Sequence, residues 1–216
     1  LRGLLAEFGL VFAQSPAVLE AVLSDVLEDA SNEMNTLARL ALQRLQDQWR
    51  EIDAHIAWCD ERIAAHGKDN DAVQKAATLI GIGPVTASAV VASVGEFKQF
   101  TSGAQFGAWC GLVPRQHSSG GKNSLGGITK RGDTYLRSLL IQGAKSAVMT
   151  AHKRSDPISQ WVTALRERSG WQKAAVALAN KNARILWAVM TKGDAFDARH
   201  VSVKPGAPST PAAATA

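Results

Sequence analysis

Hydrophobic positions repeat with helical spacing through the first third of the chain. Apolar residues recur at alternating intervals of four and three, with polar residues between them: Ala38, Leu42, Leu45, Trp49, Ile52, Ile56, Cys59 and Ile63. This is the a/d spacing of a coiled coil, in which one stripe of a helix packs against a partner helix. The pattern predicts a long helix whose seam pairs either within the chain or between two chains.

Helix-start signals predict the elements on either side of this seam. Ser15 followed by Pro16 has the character of an N-cap and a first helical position, so an earlier helix is expected to end near the turn Ser31–Asn32. Together the two helices form an antiparallel helical hairpin, which assigns residues 1–76 to a coiled-coil region. Residues 65–71 contain Gly, Asn and Asp and predict a turn at the boundary.

The remainder also predicts helices. They are expected from Ser102 to Trp109, from Asp133 to about His152, from Asp156 to Arg168, and from Trp171 to Lys192. No alternating pattern is long enough for a sizeable sheet. The predicted fold class is therefore mainly α, with a helical hairpin or coiled coil followed by a compact α-helical domain over residues 77–200. Residues 201–216 are rich in Pro, Ala, Ser and Thr and predict a disordered tail.

Gly81-Ile-Gly83 lies between two apolar segments and predicts a helix-hairpin-helix. In such a unit the first amides of the second helix face solvent, where they can bind a nucleic-acid phosphate without reading sequence. Gly81 and Gly83 are therefore candidate nucleic-acid contacts. The simpler alternative is that both glycines only allow a tight turn between the helices.

Charge divides the chain more sharply than its net value of +5 suggests. Residues 1–78 contain 7 Lys and Arg against 13 Asp and Glu, whereas residues 79–216 contain 17 against 6. A basic half joined to an acidic half is typical of a polyanion-binding module attached to a segment with another role. Lys181 and Arg184 share a polar helix face in the basic half and are candidate phosphate contacts, although a solvated face is the simpler interpretation.

Other classes of protein fit the sequence less well. There is no run of 18 apolar residues, so no membrane span is predicted. Two cysteines provide neither a disulfide framework nor a metal cluster, which fits a reducing cytoplasm. The acidic residues of the basic half are not paired at a spacing that suggests metal carboxylates, so no metal site or cofactor is expected in this chain. Leu1-Arg-Gly-Leu-Leu5 has no initiator Met or signal peptide and is typical of the cut edge of a longer polypeptide.

The segment 107–137 contains the strongest candidate chemistry. It combines adjacent hydroxyls, Ser118 and Ser119, with the flexible pair Gly120 and Gly121 and with His117. Five cations surround them in sequence: Arg115, Lys122, Lys130, Arg131 and Arg137. Backbone amides, guanidinium groups and a hydroxyl together are what a site needs to hold a phosphodiester beside an attacking oxygen. A Ser-Ser-Gly-Gly run can also be a plain linker, and His117 can serve as a base or as a phosphate contact.

Three motifs then resemble a known family. Gly81-Ile-Gly-Pro-Val-Thr-Ala, Ala108-Trp-Cys-Gly-Leu-Val-Pro-Arg-Gln-His-Ser-Ser-Gly-Gly-Lys and Gly127-Ile-Thr-Lys-Arg-Gly-Asp-Thr-Tyr-Leu-Arg resemble the transposases of the insertion-sequence family numbered one hundred and ten, and most closely its eleven-eleven subgroup. The resemblance extends to about His200.

The resemblance implies a specific chemistry. Members have an N-terminal RuvC-like nuclease domain that binds Mg²⁺, then a coiled coil and a C-terminal domain with a nucleophilic serine, and they recombine DNA guided by a structured RNA. The nucleophile then falls on Ser118 or Ser119, with Ser118 preferred because the second hydroxyl can be threonine in similar sequences. Gly120, Lys122, Lys130, Arg131 and Arg137 would line the DNA. The nuclease domain is missing from this sequence, so we expect the chain to bind nucleic acid and to form homo-oligomers in a bacterial cytoplasm, near the nucleoid, without completing recombination.

Two other functions remain open at this stage. One is a non-catalytic helix-hairpin-helix DNA-binding module whose glycine-rich loop only binds phosphate. The other is a coiled-coil assembly protein with an incidental basic face.

Overall fold

The computed structural model describes residues 1–122, 124–193 and 196–197, and this part of the chain is mainly helical. The elements are α1 (Arg2–Glu7), α2 (Pro16–Glu28), α3 (Thr36–Asp69), α4 (Asp71–Ala77), α5 (Pro84–Val94), α6 (Gly103–Trp109), β1 (Pro114–Gln116), β2 (Leu125–Ile128), α7 (Thr134–Thr150), α8 (Pro157–Ser169) and α9 (Trp171–Lys192). Short 3₁₀ turns occupy Phe97–Gln99 and Ala151–Lys153. The mainly α prediction is confirmed, and the predicted disordered tail at 201–216 lies outside the described residues.

The chain forms two compact units, Leu1–Arg62 and Ile63–Ala216, whose boundary lies within α3. In the first unit, α2 and α3 run antiparallel. The Gln46 amide donates to the Ser24 hydroxyl at 3.0 Å, and the Arg39 guanidinium donates to the Leu27 carbonyl at 2.7 Å. A small apolar core lies between these helices and α1, and its buried members are Leu5, Leu19, Leu23, Met34 and Leu42. The short helix α1 carried no recognisable start signal and was not predicted.

The predicted seam of α3 is covered only along its first part. Leu42 is buried and Trp49 packs against the same core. Farther along, Ile52 and Ile56 are more than half exposed and Cys59 is exposed as well. The helix therefore covers the whole heptad pattern, but the second half of its apolar stripe has no partner in the described part of this chain.

The second unit is built around α9. Leu178, Ala179, Ala183 and Leu186 are fully buried in a core shared with α4 to α8. A glycine on α6 lets the backbones of α6 and α9 approach closely: a Cβ at Gly103 would lie 2.8 Å from the Arg184 carbonyl oxygen. α9 is thus the central helix against which the other elements of this unit pack.

Side-chain caps begin several helices where the sequence predicts them. Ser102 accepts from the Gln105 amide, Asp133 from Leu136 and Asp156 from Ser159. These bonds satisfy amides that a helix start leaves without partners. The turn predicted at residues 65–71 is wrong in extent, because α3 continues to Asp69 and the chain turns only at Asn70, whose side chain caps α4.

The Gly81–Gly83 turn joins α4 to α5 and packs on α7. Gly81 has a φ of +82°, and a Cβ there would lie 2.7 Å from the Gly143 carbonyl oxygen. In return, a Cβ at Gly143 would overlap the Gly81 carbonyl oxygen. The Asn182 amide of α9 donates to the Ile80 carbonyl at 2.8 Å. The turn is therefore fixed by backbone contact on one side and by a buried side chain on the other.

No helix within the described ranges is both long enough and apolar enough to cross a membrane.

Candidate functional site

The serine segment is a β-hairpin rather than an irregular loop. β1 and β2 pair antiparallel, with Pro114 opposite Ile128, Gln116 opposite Leu125 and a one-residue register shift between these two pairs. The ladder continues beyond the strands, because the His117 amide donates to the Ser124 carbonyl and Ser119 bridges to Lys122. We call residues 114–128 the serine hairpin. Its polar sequence and many glycines concealed the strands from pattern analysis.

Gly120 and Gly121 form the tip of the serine hairpin. Their φ values are +56° and +77°, and the Lys122 amide donates to the Ser119 carbonyl at 3.1 Å. Two central residues with positive φ are the signature of a type I′ turn, whose twist matches that of the flanking strands. The Gly-Gly pair is therefore a structural requirement of the tip, and it leaves no side chain over the turn.

The hairpin geometry places the two hydroxyls on opposite faces. Successive residues of a strand alternate between faces, and directly paired residues share one. Ser119 therefore shares a face with His117 and with its partner Lys122. Ser118 faces the other way, and its oxygen accepts from the Gln116 amide at 3.1 Å and from the Ser124 backbone amide at 3.2 Å.

The cations of this segment fall into two groups. Arg115, His117 and Lys122 lie on the serine hairpin itself and are exposed. Arg115 lies two positions before His117 on the same strand and therefore belongs to the Ser119 face. Gly126 faces Arg115 across the strands, since a Cβ at Gly126 would lie 3.7 Å from the Arg115 Cβ. Lys130 and Arg131 are exposed at the base of the hairpin.

The base of the serine hairpin is a close crossing of two backbones. A Cβ at Gly132 would overlap the Trp109 carbonyl oxygen, and a Cβ at Gly111 would overlap that of Arg131. Lys130 has a φ of +57°, a left-handed conformation that is uncommon without glycine, and its amide donates to the Gly111 carbonyl at 3.1 Å. The end of α6 and the entry to α7 are thus tied together where the hairpin leaves the core.

Arg137 lies beneath this crossing and is only 8% exposed. Its guanidinium donates to the Cys110 carbonyl at 3.3 Å and to the Thr134 hydroxyl at 3.0 Å. The structure therefore separates Arg137 from the exposed cations with which the sequence grouped it. Burial raises the pKa of the neighbouring Cys110 thiol to about 12, with Asp133 adding to the effect and Arg137 opposing it. Cys110 is consequently a neutral apolar residue of the core.

The other predicted contacts lie on different elements. Gly83 is exposed at the start of α5, where no side chain caps the helix, whereas Gly81 packs on α7. On α9, the Lys181 ammonium lies 4.8 Å from the centre of the Trp161 ring, and Arg184 is exposed. α7 connects the base of the serine hairpin with the Gly81 turn. Its first turn contacts the hairpin base, and Gly143 contacts Gly81 roughly 14 Å farther along the helix axis.

The contacts of Gly143 and Asn182 with the Gly81 turn were not predicted from the sequence. A glycine inside a predicted helix is a recognisable signal of close packing, and Gly143 could have been found that way. Asn182 carries no such signal, because it stands in a polar run with Asn180, Lys181 and Arg184. Among the described residues, no three His, Cys, Asp or Glu side chains are grouped so that they could hold a metal ion.

The sequence of this chain is similar to those of known proteins. Residues 73–159 match the family model described as Transposase IS116/IS110/IS902 family. The chain is 45% identical over 196 residues to a probable family 20 transposase of Pseudomonas aeruginosa, covering 88% of this chain and 57% of that protein. It is 39% identical over 196 residues to the transposase for insertion sequence element IS1111A of Coxiella burnetii, covering 91% of this chain and 54% of that protein.

A third relative gives the same result. The transposase for insertion sequence element IS1328 of Yersinia enterocolitica is 36% identical over 196 residues, covering 91% of this chain and 58% of that protein. The chain spans about half the length of the curated relatives it matches. The matched segment contains the Gly81 turn, the serine hairpin and α7, which are the features described above. The chain is thus a member of the IS116/IS110/IS902 transposase family, with residues 73–159 as its family domain.

Proposed function

We propose that this chain is the DNA-binding, serine-bearing C-terminal part of a transposase, and that the serine hairpin holds a DNA phosphodiester for attack. The observation that supports the proposal is an exposed hairpin that carries a hydroxyl, two cations and a histidine on one face, on a base fixed by backbone contacts. Phosphoryl transfer depends mainly on positioning and on neutralising charge at the transferred group. The Ser119 face offers both.

Ser119 is the better placed nucleophile of the two candidates. It shares its face with Arg115, His117 and Lys122, and within the described residues its hydroxyl has no hydrogen-bond partner. The Ser118 oxygen already accepts two hydrogen bonds on the opposite face. The geometry therefore favours Ser119 over the preference for Ser118 that came from the sequence.

The proposed step is an in-line displacement at phosphorus. The serine oxygen forms a P–O bond as the bond to a deoxyribose oxygen breaks, which leaves a phosphoserine link and a free DNA hydroxyl end. The serine gives up its proton, and a proton reaches the departing oxygen. His117, on the same face, is the nearest candidate in sequence to accept the serine proton, while Arg115 and Lys122 neutralise the phosphate oxygens.

The remaining contacts support DNA around this centre. Lys130 and Arg131 extend the basic surface at the hairpin base. Arg137 stabilises that base from within instead of touching DNA. The exposed amides after Gly83 fit the phosphate-binding end of a helix-hairpin-helix, while Lys181 and Arg184 offer a separate basic surface on α9. The exposed half of the α3 seam is the proposed site of homo-oligomerisation. A guide RNA, a Mg²⁺-binding nuclease domain and the eleven-eleven subgroup remain part of the proposal by family resemblance.

Single serine changes test the nucleophile. Because the chain spans about half of its relatives, the reaction is measured in the full-length Pseudomonas relative, with alanine at each of the two positions aligned to Ser118 and Ser119. The readout is a protein–DNA adduct that survives denaturation. We expect alanine at the position of Ser119 to abolish the adduct and alanine at the position of Ser118 to preserve it. An adduct that persists when both positions are changed to alanine together excludes a nucleophile at these positions, and loss only at the Ser118 position overturns the assignment by face.

A salt titration of this chain tests its DNA binding. Each phosphate contact should add about 0.9 to the slope of log affinity against log salt. The double change Arg115→Ala with Lys122→Ala should lower the slope by about 2, whereas Lys98→Ala, an exposed cation outside the hairpin, should leave it unchanged. Binding without salt dependence would favour the protein-assembly alternative. Steep binding with no adduct in the first experiment would favour the non-catalytic binding module.

A further inference from the structure

Tyr135 is an exposed aromatic residue beside the serine hairpin, and nothing in the proposed function uses it. It is the only tyrosine of the sequence and lies on the first turn of α7, with 58% of its surface exposed. Other exposed aromatic rings of the chain have partners, since Trp161 lies under Lys181 and Trp58 under Arg62. Across the described residues, the Tyr135 ring and hydroxyl have neither a hydrogen bond nor a ring or cation contact.

The backbone around Tyr135 is held in place. Gly132 is pressed against the Trp109 carbonyl, Asp133 caps the helix by accepting from the Leu136 amide, and the Arg137 guanidinium binds the Cys110 carbonyl. Five residues separate Tyr135 from Lys130, which limits the distance between them to about 17 Å. The ring is therefore presented at a fixed place close to the hairpin base.

The neighbouring surface is basic and polar. Lys130 and Arg131 precede Tyr135, and its neighbours on α7 are the exposed Thr134 and Ser138 and the half-buried Leu139. The carboxylate of Asp133 is already engaged by a backbone amide. A protein-docking site would be expected to surround an exposed ring with other apolar residues. An exposed ring next to a basic segment is instead the combination by which proteins bind bases next to a phosphate backbone.

We infer that Tyr135 stacks on an unpaired or terminal nucleobase of the DNA whose phosphate lies against the serine hairpin. The inference rests on the proposed function. Stacking on a tyrosine ring tolerates any base, because every base has a π face, and a ring on a fixed helix loses little entropy on binding. Tyr135 would then hold the DNA strand in register with the nucleophile, as a positioning residue that has no part in bond making.

The single tyrosine allows a direct test. This chain, prepared with 3-fluorotyrosine, has one ¹⁹F resonance. We expect that resonance to move when a short DNA duplex with a single-stranded extension is added, and to move less with the same duplex blunt-ended. An unmoved resonance in the presence of bound DNA overturns the inference and leaves the proposed function intact. A resonance that changes with protein concentration instead of DNA would assign the ring to a protein interface.

Affinity measurements complete the test. Tyr135→Ala should weaken binding to the extended duplex by about 5- to 100-fold, the usual effect of removing one stacking ring. Tyr135→Phe should retain most of the affinity, because it keeps the ring. Met149→Ala, at an exposed position near the other end of α7, is the matched control and should have no effect. Equal affinity of the alanine and phenylalanine variants would refute stacking, whereas failure of the unchanged chain to bind any DNA would count against the proposed function itself.

Discussion

Gly143 shows how one missing methyl group sets the distance between two elements. The glycine lies in the middle of α7, where alanine would ordinarily be favoured, yet its Cα faces the Gly81 carbonyl directly. Helix propensity and packing therefore make opposite demands at this position, and packing prevails because the opposing atoms belong to the backbone and cannot move aside.

Gly143→Ala should destabilise the chain despite the better helix propensity of alanine. The expected loss is about 2 kcal/mol in the free energy of unfolding, from overpacking against a backbone carbonyl. Gly67→Ala is the matched control, since its Cβ would meet only the Val73 side chain at an ordinary 3.5 Å. It should be neutral or stabilising by up to about 1 kcal/mol. Urea unfolding of both variants measures the difference, and equal stabilities would contradict the close approach.

The two cysteines should differ in reactivity. Cys59 is exposed, whereas Cys110 is buried and has its pKa raised to about 12. At pH 8 only about one Cys110 thiol in ten thousand would be ionised, and thiolate is the reactive form. A thiol reagent should therefore label one site rapidly in the folded chain and the second only after unfolding. Cys59→Ser should remove the rapid phase, and a persistent rapid phase in that variant would show that Cys110 is accessible.

The exposure of most candidate residues could be predicted from the sequence better than the contacts that each of them makes. Ser118, Ser119 and most of the cations around them are exposed, as their polar sequence suggested. Arg137 is buried, whereas Arg131, which the sequence grouped with it, is exposed in the preceding loop. The difference arises from helix phase: Arg137 lies one position after buried Leu136 and turns back toward Cys110, a contact across 27 residues that no local pattern encodes.

At the scale of elements, helices were predictable because their signals are local. An N-cap residue binds an amide two or three positions away, so Ser102, Asp133 and Asp156 could be recognised from the sequence. The serine hairpin lacks alternating hydrophobic residues, because both of its faces meet solvent. Its pairing depends on the Gly120–Gly121 turn, and a Gly-Gly pair is equally common in linkers.

The hairpin base should depend on Arg137 more than on any exposed cation. Arg137→Met removes the hydrogen bonds to the Cys110 carbonyl and the Thr134 hydroxyl, leaving a buried carbonyl without its partner. We expect a loss of about 1–3 kcal/mol in unfolding free energy. Arg115→Met is the matched control and should leave stability unchanged while weakening DNA binding. Equal stability of the two variants would mean that Arg137 does not secure the base.

On the scale of the whole molecule, the charge division and the α3 seam describe two different surfaces. The first compact unit ends at residue 62, 16 residues before the acidic-to-basic change that the sequence shows after residue 78. The sequence-based boundary at residues 76 and 77 stays a prediction. A heptad pattern identifies an apolar stripe but not what covers it, so the seam's partner could not be predicted from the sequence.

The proposed self-association should depend on the exposed half of the seam. Ile56→Glu places a charge on that stripe and should convert an oligomer of this chain to a monomer in sedimentation measurements. Leu37→Glu is the control, because Leu37 is even more exposed but lies off the stripe. A monomeric unchanged chain, or an Ile56→Glu variant that keeps its mass, would exclude the seam as the interface.

The two-residue turn of the serine hairpin also limits how natural variants can differ in length. Adding one residue to each strand between the base and Ser119 would rotate the hydroxyl by half a turn and move it away from the Arg115 side. Adding two to each strand would restore its direction and carry it about 7 Å farther out. Insertions in the serine hairpin are therefore expected to add an even number of residues to each strand, and members of this family are expected to lengthen the hairpin only in such double steps.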